Sequence, residues 1–285
     1  MASKKRAKEL EPEYRYSVTN QPVLNYKVYY LKSGEKILWS IVAFVIGAVV
    51  AYLFYGGIGK DAYGDPTTVT YICNTVIMAL VGVIAVKIFL PIRRDQILKK
   101  RKKDLHEQFI NLLDSLSASL SSGQNVPSAF MTAKNDLLVQ YSENAYIVRE
   151  VNQIIDGFAN NNPIEFMLAD FGERSGIKDI SDFGKVFETV YRKGGNIKET
   201  VRKTHEILST KAQLEMEIET KVTSNKNEQN IMMVMPILIV GMIKMMGGDF
   251  AENFTTPSGL LFTTIAIGMF ILAYYIGRSI LDIDI

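Results

Sequence analysis

Apolar positions along this chain gather in four blocks separated by polar segments. A helix needs about 20 mostly apolar residues to cross a bilayer, because its backbone must satisfy its own polar groups where no water is available. Residues 37–58 and 71–91 meet that length, and 259–277 gives a third block. The run 231–246 is shorter, is interrupted by Pro236 and Gly241, and carries Lys244 near its end. It lacks the polar face of a soluble helix, which places it with the spans.

Between the second and third blocks the pattern changes to one apolar face per helix, with the 3.6-residue period throughout and no strand pattern. Phe109, Leu112, Leu113, Leu116 and Leu120 form one face, closed by Ser122-Gly123. Asn125 then caps a helix with Pro127 in its first turn. Ile147, Val151, Ile154, Ile155 and Phe158 mark a third helix, and Asn160-Asn161-Asn162-Pro163 opens a fourth carrying Phe166, Met167 and Phe171. Ile180, Phe183, Val186, Phe187, Val190 and Tyr191 make a fifth, ending at Gly194-Gly195. Asn196 with Glu199 fits a capping box. From Ile197, an apolar stripe through Val201, Leu208, Leu214, Ile218 and Val222 continues toward the third span with no proline or glycine in it.

The expected fold class is therefore all-α: a polytopic membrane protein with two transmembrane hairpins flanking a cytosolic domain resembling a six-helix bundle. The expected organisation is an N-terminal cytosolic segment (1–36), a first hairpin (37–92), a helical domain (93–228), a second hairpin (229–278) and a cytosolic tail (279–285).

Charge sets the orientation. Lys4, Lys5, Arg6, Lys8, Arg15, Lys27, Lys32 and Lys36 precede the first span, and Arg93, Arg94 and Lys99 to Lys103 follow the second. Both flanks are expected in the cytosol by the positive-inside rule. The connection 59–70 has only Lys60 against Asp61 and Asp65, and 247–258 has Asp249 and Glu252 without a basic residue, so both should face outward. Arg278 places the C-terminus inside, giving a multi-pass protein of the cytoplasmic membrane. Lys87 and Lys244 lie close enough to span ends to snorkel, and an intramembrane functional charge is the alternative. Ala43, Gly47 and Ala51, like Ala273 and Gly277, recur at intervals that permit close helix approach. The basic run Lys99, Lys100, Arg101, Lys102 and Lys103 reads either as a contact for anionic lipids or as a topology determinant alone.

Little chemistry accompanies this pattern. The formal net charge is +2, and without interleaved aromatics beside the basic run no nucleic-acid partner is expected. The single cysteine, Cys73, reads as an apolar packing residue, and His106 and His205 as solvated surface residues. Gly56-Gly57-Ile58-Gly59-Lys60 lacks the spacing and the Ser/Thr of a phosphate loop, and no metalloprotease or serine-hydrolase motif occurs. No enzyme activity, cofactor or metal is expected. A transporter would need more polar span residues than Asn74, Thr75, Thr263 and Thr264, and a signalling receptor a larger outer domain. The tyrosine-rich stretch 14–30 fits interfacial anchoring and, nearly as well, disorder.

The stretch Phe109-Ile-Asn-Leu-Leu-Asp-Ser-Leu-Ser-Ala-Ser-Leu-Ser-Ser-Gly-Gln-Asn-Val-Pro-Ser-Ala-Phe130 resembles the opening helices of the F-type platform domain of type II secretion and type IV pilus machines. Phe171-Gly-Glu-Arg-Ser-Gly-Ile-Lys-Asp-Ile-Ser-Asp-Phe183 and Gly194-Gly-Asn-Ile-Lys-Glu199 look like the segments before the last long helix in the tight-adherence (Flp) pilus branch, the TadB- and TadC-type platforms. The resemblance covers roughly residues 105–278 and the hairpin before them. It implies a non-enzymatic inner-membrane platform that contacts a cytosolic hexameric secretion ATPase and passes its motion to pilin subunits. With one copy of the domain, such a chain would pair with itself or with a sister platform protein. Arg174, Asp179, Phe183, Gly194, Gly195 and Glu199 match the family pattern; the glycines read as turn residues, the charges as caps or ATPase contacts.

Overall fold

The computed structural model describes residues 11–59, 65–247 and 253–281. Expectations resting on Lys4, Lys5, Arg6, Lys8, Lys60, Asp61, Asp249, Glu252, the side chain of Arg278 and residues 282–285 fall outside them. Among the described residues the order is β1 (Tyr14–Tyr16), β2 (Pro22–Leu24), α1 (Ser33–Tyr55), α2 (Thr68–Ser121), α3 (Val126–Gln140), α4 (Tyr146–Ala159), α5 (Ile164–Ser175), α6 (Lys178–Arg192), α7 (Ile197–Met246) and α8 (Pro257–Leu281).

Among the described residues four helices are long and apolar enough to cross a membrane, with best-stretch mean hydropathies of 2.5 in α1, 2.5 in α2, 1.6 in α7 and 2.0 in α8. At most 22% of any such stretch is buried within the protein, and exposed apolar surface on that scale needs lipid around it. The chain is membrane-associated on this ground. The chain divides into two compact units, one of residues 11–30 with Arg94–Leu214, the other of Leu31–Arg93 with residues 215–281.

The first unit is a helical domain around one core. Leu105, Phe109, Leu112, Leu113 and Leu116 of α2 are buried there with Phe130 and Leu137 of α3, Ile147 and Val151 of α4, Leu168 and Phe171 of α5, Phe183 and Phe187 of α6, and Val201 and Leu208 of α7. Each such side chain contributes about 1.5–3 kcal/mol on leaving water. Local signals set the boundaries. Gly123 takes φ +90° after α2, and the Asn125 side-chain oxygen accepts a hydrogen bond from the Ser128 N–H at 2.9 Å. Gly176, at φ +60°, ends α5, and Gly194, at φ +66°, follows α6. The α5–α6 pair packs unusually close because two glycines face it: a Cβ on Gly172 would lie 2.8 Å from the Ser181 Cα, and one on Gly184 2.9 Å from the Leu168 carbonyl oxygen.

The tyrosine-rich segment is ordered. Tyr14–Tyr16 pairs antiparallel with Pro22–Leu24, the turn between them closes with Asn20 at φ +58°, and the chain then runs onto the helices. Neither disorder nor membrane anchoring describes Tyr26, which is 1% exposed within the domain core. These two three-residue strands stand beside an otherwise all-helical chain.

In the second unit α1 and α2 cross at small residues. A Cβ on Gly47 would lie 2.7 Å from that of Ala85, and one on Gly82 would lie 2.6 Å from the Phe44 ring. Ala43 and Ala51 are buried on the same face of α1, so the four-residue spacing of small side chains marks a real contact. Gln229 donates to the Tyr274 carbonyl at 3.4 Å, linking α7 with α8. The Arg93 guanidinium lies 4.4 Å from the centre of the Trp39 ring, a cation–π contact between the ends of two spans.

The helix that carries the second apolar block does not stop where the block does: α2 is a single helix of 54 residues with Pro91 inside it. Proline removes one N–H and strains the preceding turn, but residues 93–103 are almost all good helix formers with no glycine or cap among them, so the helix resumes at once. α7, whose unbroken stripe was expected to run on toward the third span, does so as one helix of 50 residues with Pro236 inside it. Both helices contribute to both units.

Candidate functional site

Arg174 belongs to α5, whose apolar face turns its guanidinium inward. It donates to Glu150 through Nη1 at 3.1 Å and Nη2 at 2.8 Å, to Asp170 through Nε at 2.7 Å, and to the Leu24 carbonyl through Nη1 at 3.1 Å. The Tyr26 hydroxyl donates to Glu150 at 2.9 Å, and the Tyr26 N–H to the Arg174 carbonyl at 3.0 Å. The cluster therefore ties α4, α5 and the N-terminal segment together. Burial by itself would lower the Arg174 pKa, but the hydrogen bonds and charge of Glu150, then of Asp170, outweigh it and raise it. Burial first, then the Glu150 charge and hydrogen bond, push the Tyr26 phenol well above its ordinary value. The space beside the cluster is about 10 Å³, at most one water's worth. With Arg174 2% exposed, the expected ATPase contact or helix cap is not what this side chain does: it is an interior counter-ion.

A second cluster sits where α2 and α7 pass α6. The Asp179 carboxylate lies 3.0 Å from the Lys211 ammonium of α7 and 3.0 Å from Nε2 of His106 of α2. That imidazole edge is close enough to pair when protonated, although its N–H is not aligned on the oxygen. His205 of α7 lies 3.7 Å from Asp114 of α2, and Lys198 donates to the Ser121 carbonyl at 3.4 Å. As residue numbers rise along α7 from 198 to 205, their partners on α2 fall from 121 to 114, so the two segments run antiparallel. Neither histidine is a plain solvated side chain, since His106 is 16% and His205 24% exposed.

The other expected residues are spread out. Phe183 is a core side chain, 3% exposed, edge-on to Phe109 at 5.5 Å. Gly194 and Gly195 form the turn before α7, where the Gly195 N–H donates to the Val190 carbonyl at 2.8 Å. Asn196 caps α7 by accepting from the Glu199 N–H at 3.1 Å. The Glu199 carboxylate does not return to Asn196 as a full capping box requires; it binds Arg202 at 2.7 Å and Lys203 at 3.3 Å. Arg202 chiefly, helped by Lys203, lowers its pKa to about 2. Of the six, Asp179 and Glu199 carry polar groups near the surface, and no common site gathers all six.

The basic run splits by helical face. Lys99, Lys100 and Lys103 are exposed. Arg101 instead turns onto the N-terminal segment, its guanidinium 4.6 Å from the centre of the Tyr29 ring and 3.8 Å from Glu13. Lys102 donates to the Gly176 carbonyl at 3.3 Å. The exposed side chains of the run are thus Lys99, Lys100 and Lys103.

Among the described residues no group of three or more His, Cys, Asp and Glu side chains is placed to hold a metal ion. Comparison with family models, with curated proteins and with solved structures returned no match to this chain.

Proposed function

We propose that this chain is a non-enzymatic platform in the cytoplasmic membrane, belonging to a type II secretion-like or tight-adherence pilus assembly machine. Its four spans form two hairpins, both termini and residues 93–228 lie in the cytosol, and a cytosolic hexameric ATPase drives it to move pilin subunits out of the bilayer. The observation that carries this reading is that α2 and α7 each run without a break from the helical domain into an apolar stretch. A continuous helix passes a displacement along its axis, where a loop would absorb it. The ties of His106 and Lys211 to Asp179 hold these two helices together within the domain, so a force on α6 reaches both.

Two further supports are independent of the fold. Lysines and arginines concentrate on the flanks that would face the cytosol, and the segments 109–130, 171–183 and 194–199 resemble the platform domains. One domain copy per chain favours assembly with an identical chain or a sister platform.

Inserting a flexible Gly-Ser segment beside Asn225 tests the coupling. Membrane insertion should be unchanged and pilus assembly lost, and normal assembly by that variant would refute the mechanism. Impermeant reagents applied to intact cells should not reach residues 101–221; labelling there would overturn the sidedness. The full chain should also co-purify with a secretion ATPase.

A further inference from the structure

The membrane unit holds a cavity of about 550 Å³ among Tyr52 and Leu53 of α1, Tyr71 and Asn74 of α2, and Gly241 and Lys244 of α7. It lies at the ends of these helices nearest the two short connections. Its size falls within the range of about 300–1,000 Å³ usual for small-molecule sites. Two polar side chains are held in place on its wall. The Lys244 ammonium donates to the Gly56 carbonyl at 3.0 Å, and the Asn74 side-chain oxygen accepts from the Gly57 N–H at 3.1 Å, which leaves its amide to act as a donor. A cation is favoured at this point because Gly56 caps the carboxyl end of α1, where the helix dipole is negative.

Ammonium, amide and phenol groups beside leucine make a lining that offers a positively charged group, hydrogen-bond donors and apolar surface. A divalent metal would be repelled by Lys244, and a purely apolar ligand would strand the polar groups. Tyrosines at span ends mark the depth of the headgroups, where phosphodiesters are the abundant anions. Glycine keeps the space open: a Cβ on Gly241 would sit 3.7 Å from Leu53, in ordinary contact, so a larger side chain would extend into the cavity.

We propose that this cavity binds a phosphate ester, presented by a phospholipid headgroup or by a soluble ester, with Lys244 as counter-ion and Asn74 as hydrogen-bond donor. The proposal rests on the four helices being membrane spans and is independent of the platform role.

The full chain, delipidated in neutral detergent, is titrated with phosphatidylglycerol, with diacylglycerol of the same acyl chains, and with glycerol 3-phosphate, and adducts are counted by native mass spectrometry. Phosphatidylglycerol should bind and diacylglycerol should not. Lys244→Gln should weaken binding roughly tenfold or more, the loss of one charge-assisted hydrogen bond, while Lys244→Arg retains it. Gly241→Leu should weaken it by filling the space with Lys244 intact. Displacement of the lipid by glycerol 3-phosphate assigns the site to a soluble ester, and no displacement assigns it to the headgroup. Equal binding of phosphatidylglycerol and diacylglycerol by the unaltered chain overturns the proposal, whether or not the variants fold. Wild-type binding by folded Lys244→Gln and Gly241→Leu does so too. Pilus assembly is not read in this experiment, so the platform role stands or falls separately.

Discussion

Arg174 Nη2 lies 2.8 Å from Glu150 Oε2, with each side chain 3% exposed. Two charges removed from water in this way depend on each other more than they stabilise the fold outright. Removing one partner leaves the other buried and unpaired, at a cost of about 3–5 kcal/mol. Arg174→Met or Glu150→Leu alone should therefore lower the denaturation midpoint of the purified chain sharply. The double replacement should recover much of the loss, and simple additivity in the cycle would contradict the pairing.

Tyr26 gives the same cluster a pH dependence. Its phenol has an ordinary pKa of 10.0 and is raised well above that in the folded chain. Below pH 10 both folded and unfolded forms keep the proton, so the full stabilisation is present. Above it the unfolded form ionises first, and stability falls as the pH climbs toward the folded value. Tyr26→Phe should cost about 1–3 kcal/mol at neutral pH through the lost hydrogen bond to a charged group. In alkaline melts the gap between the two proteins should narrow above pH 10.

Gly172→Ala is the sharpest test of the α5–α6 packing. Its new Cβ would meet the Ser181 backbone at 2.8 Å, and backbone cannot swing aside as a flexible side chain would. Overpacking of this kind costs about 1–3 kcal/mol, measurable as a loss of thermal stability. Gly123→Ala is a control: no atom lies within 4 Å of its Cβ, and only the left-handed backbone, worth about 1 kcal/mol, opposes it.

Asp179→Asn keeps the shape of that side chain and removes its charge. Its partner Lys211 is 45% exposed, so the loss in global stability should be about 1 kcal/mol or less. Hydrogen exchange should rise locally, around 104–110 on α2 and 208–214 on α7. Unchanged exchange there would show that Asp179 does not tie the two helices.

The sequence was most legible where structure is decided locally. Asn125, Gly123 and Asn196 act on the turn next to them, and their chemistry identified those boundaries. The apolar stretches were legible because lipid imposes one length on any helix that crosses it. Pro91 marks the end of the apolar block without ending the helix, since proline weakens a helix without fixing where it stops, and the run of lysines and arginines beyond it carries the helix on. Arg174 and Tyr26 were illegible for another reason: a buried ion pair has the same residue types as a surface one, and nothing near Tyr26 in sequence announces a partner 124 residues away. His106 was misread likewise, because its carboxylate lies on another helix.

The Leu24 carbonyl and the Arg174 side chain that donates to it are separated by 150 positions, and this sets an order of events during synthesis. At about 5–20 residues per second, the ribosome needs roughly 8–30 s to make the stretch between them. The first two apolar helices are made in that interval, so the amino-terminal strands cannot complete their contacts until α5 has left the ribosome. Their docking is therefore a late step, completed only after both apolar helices have been made.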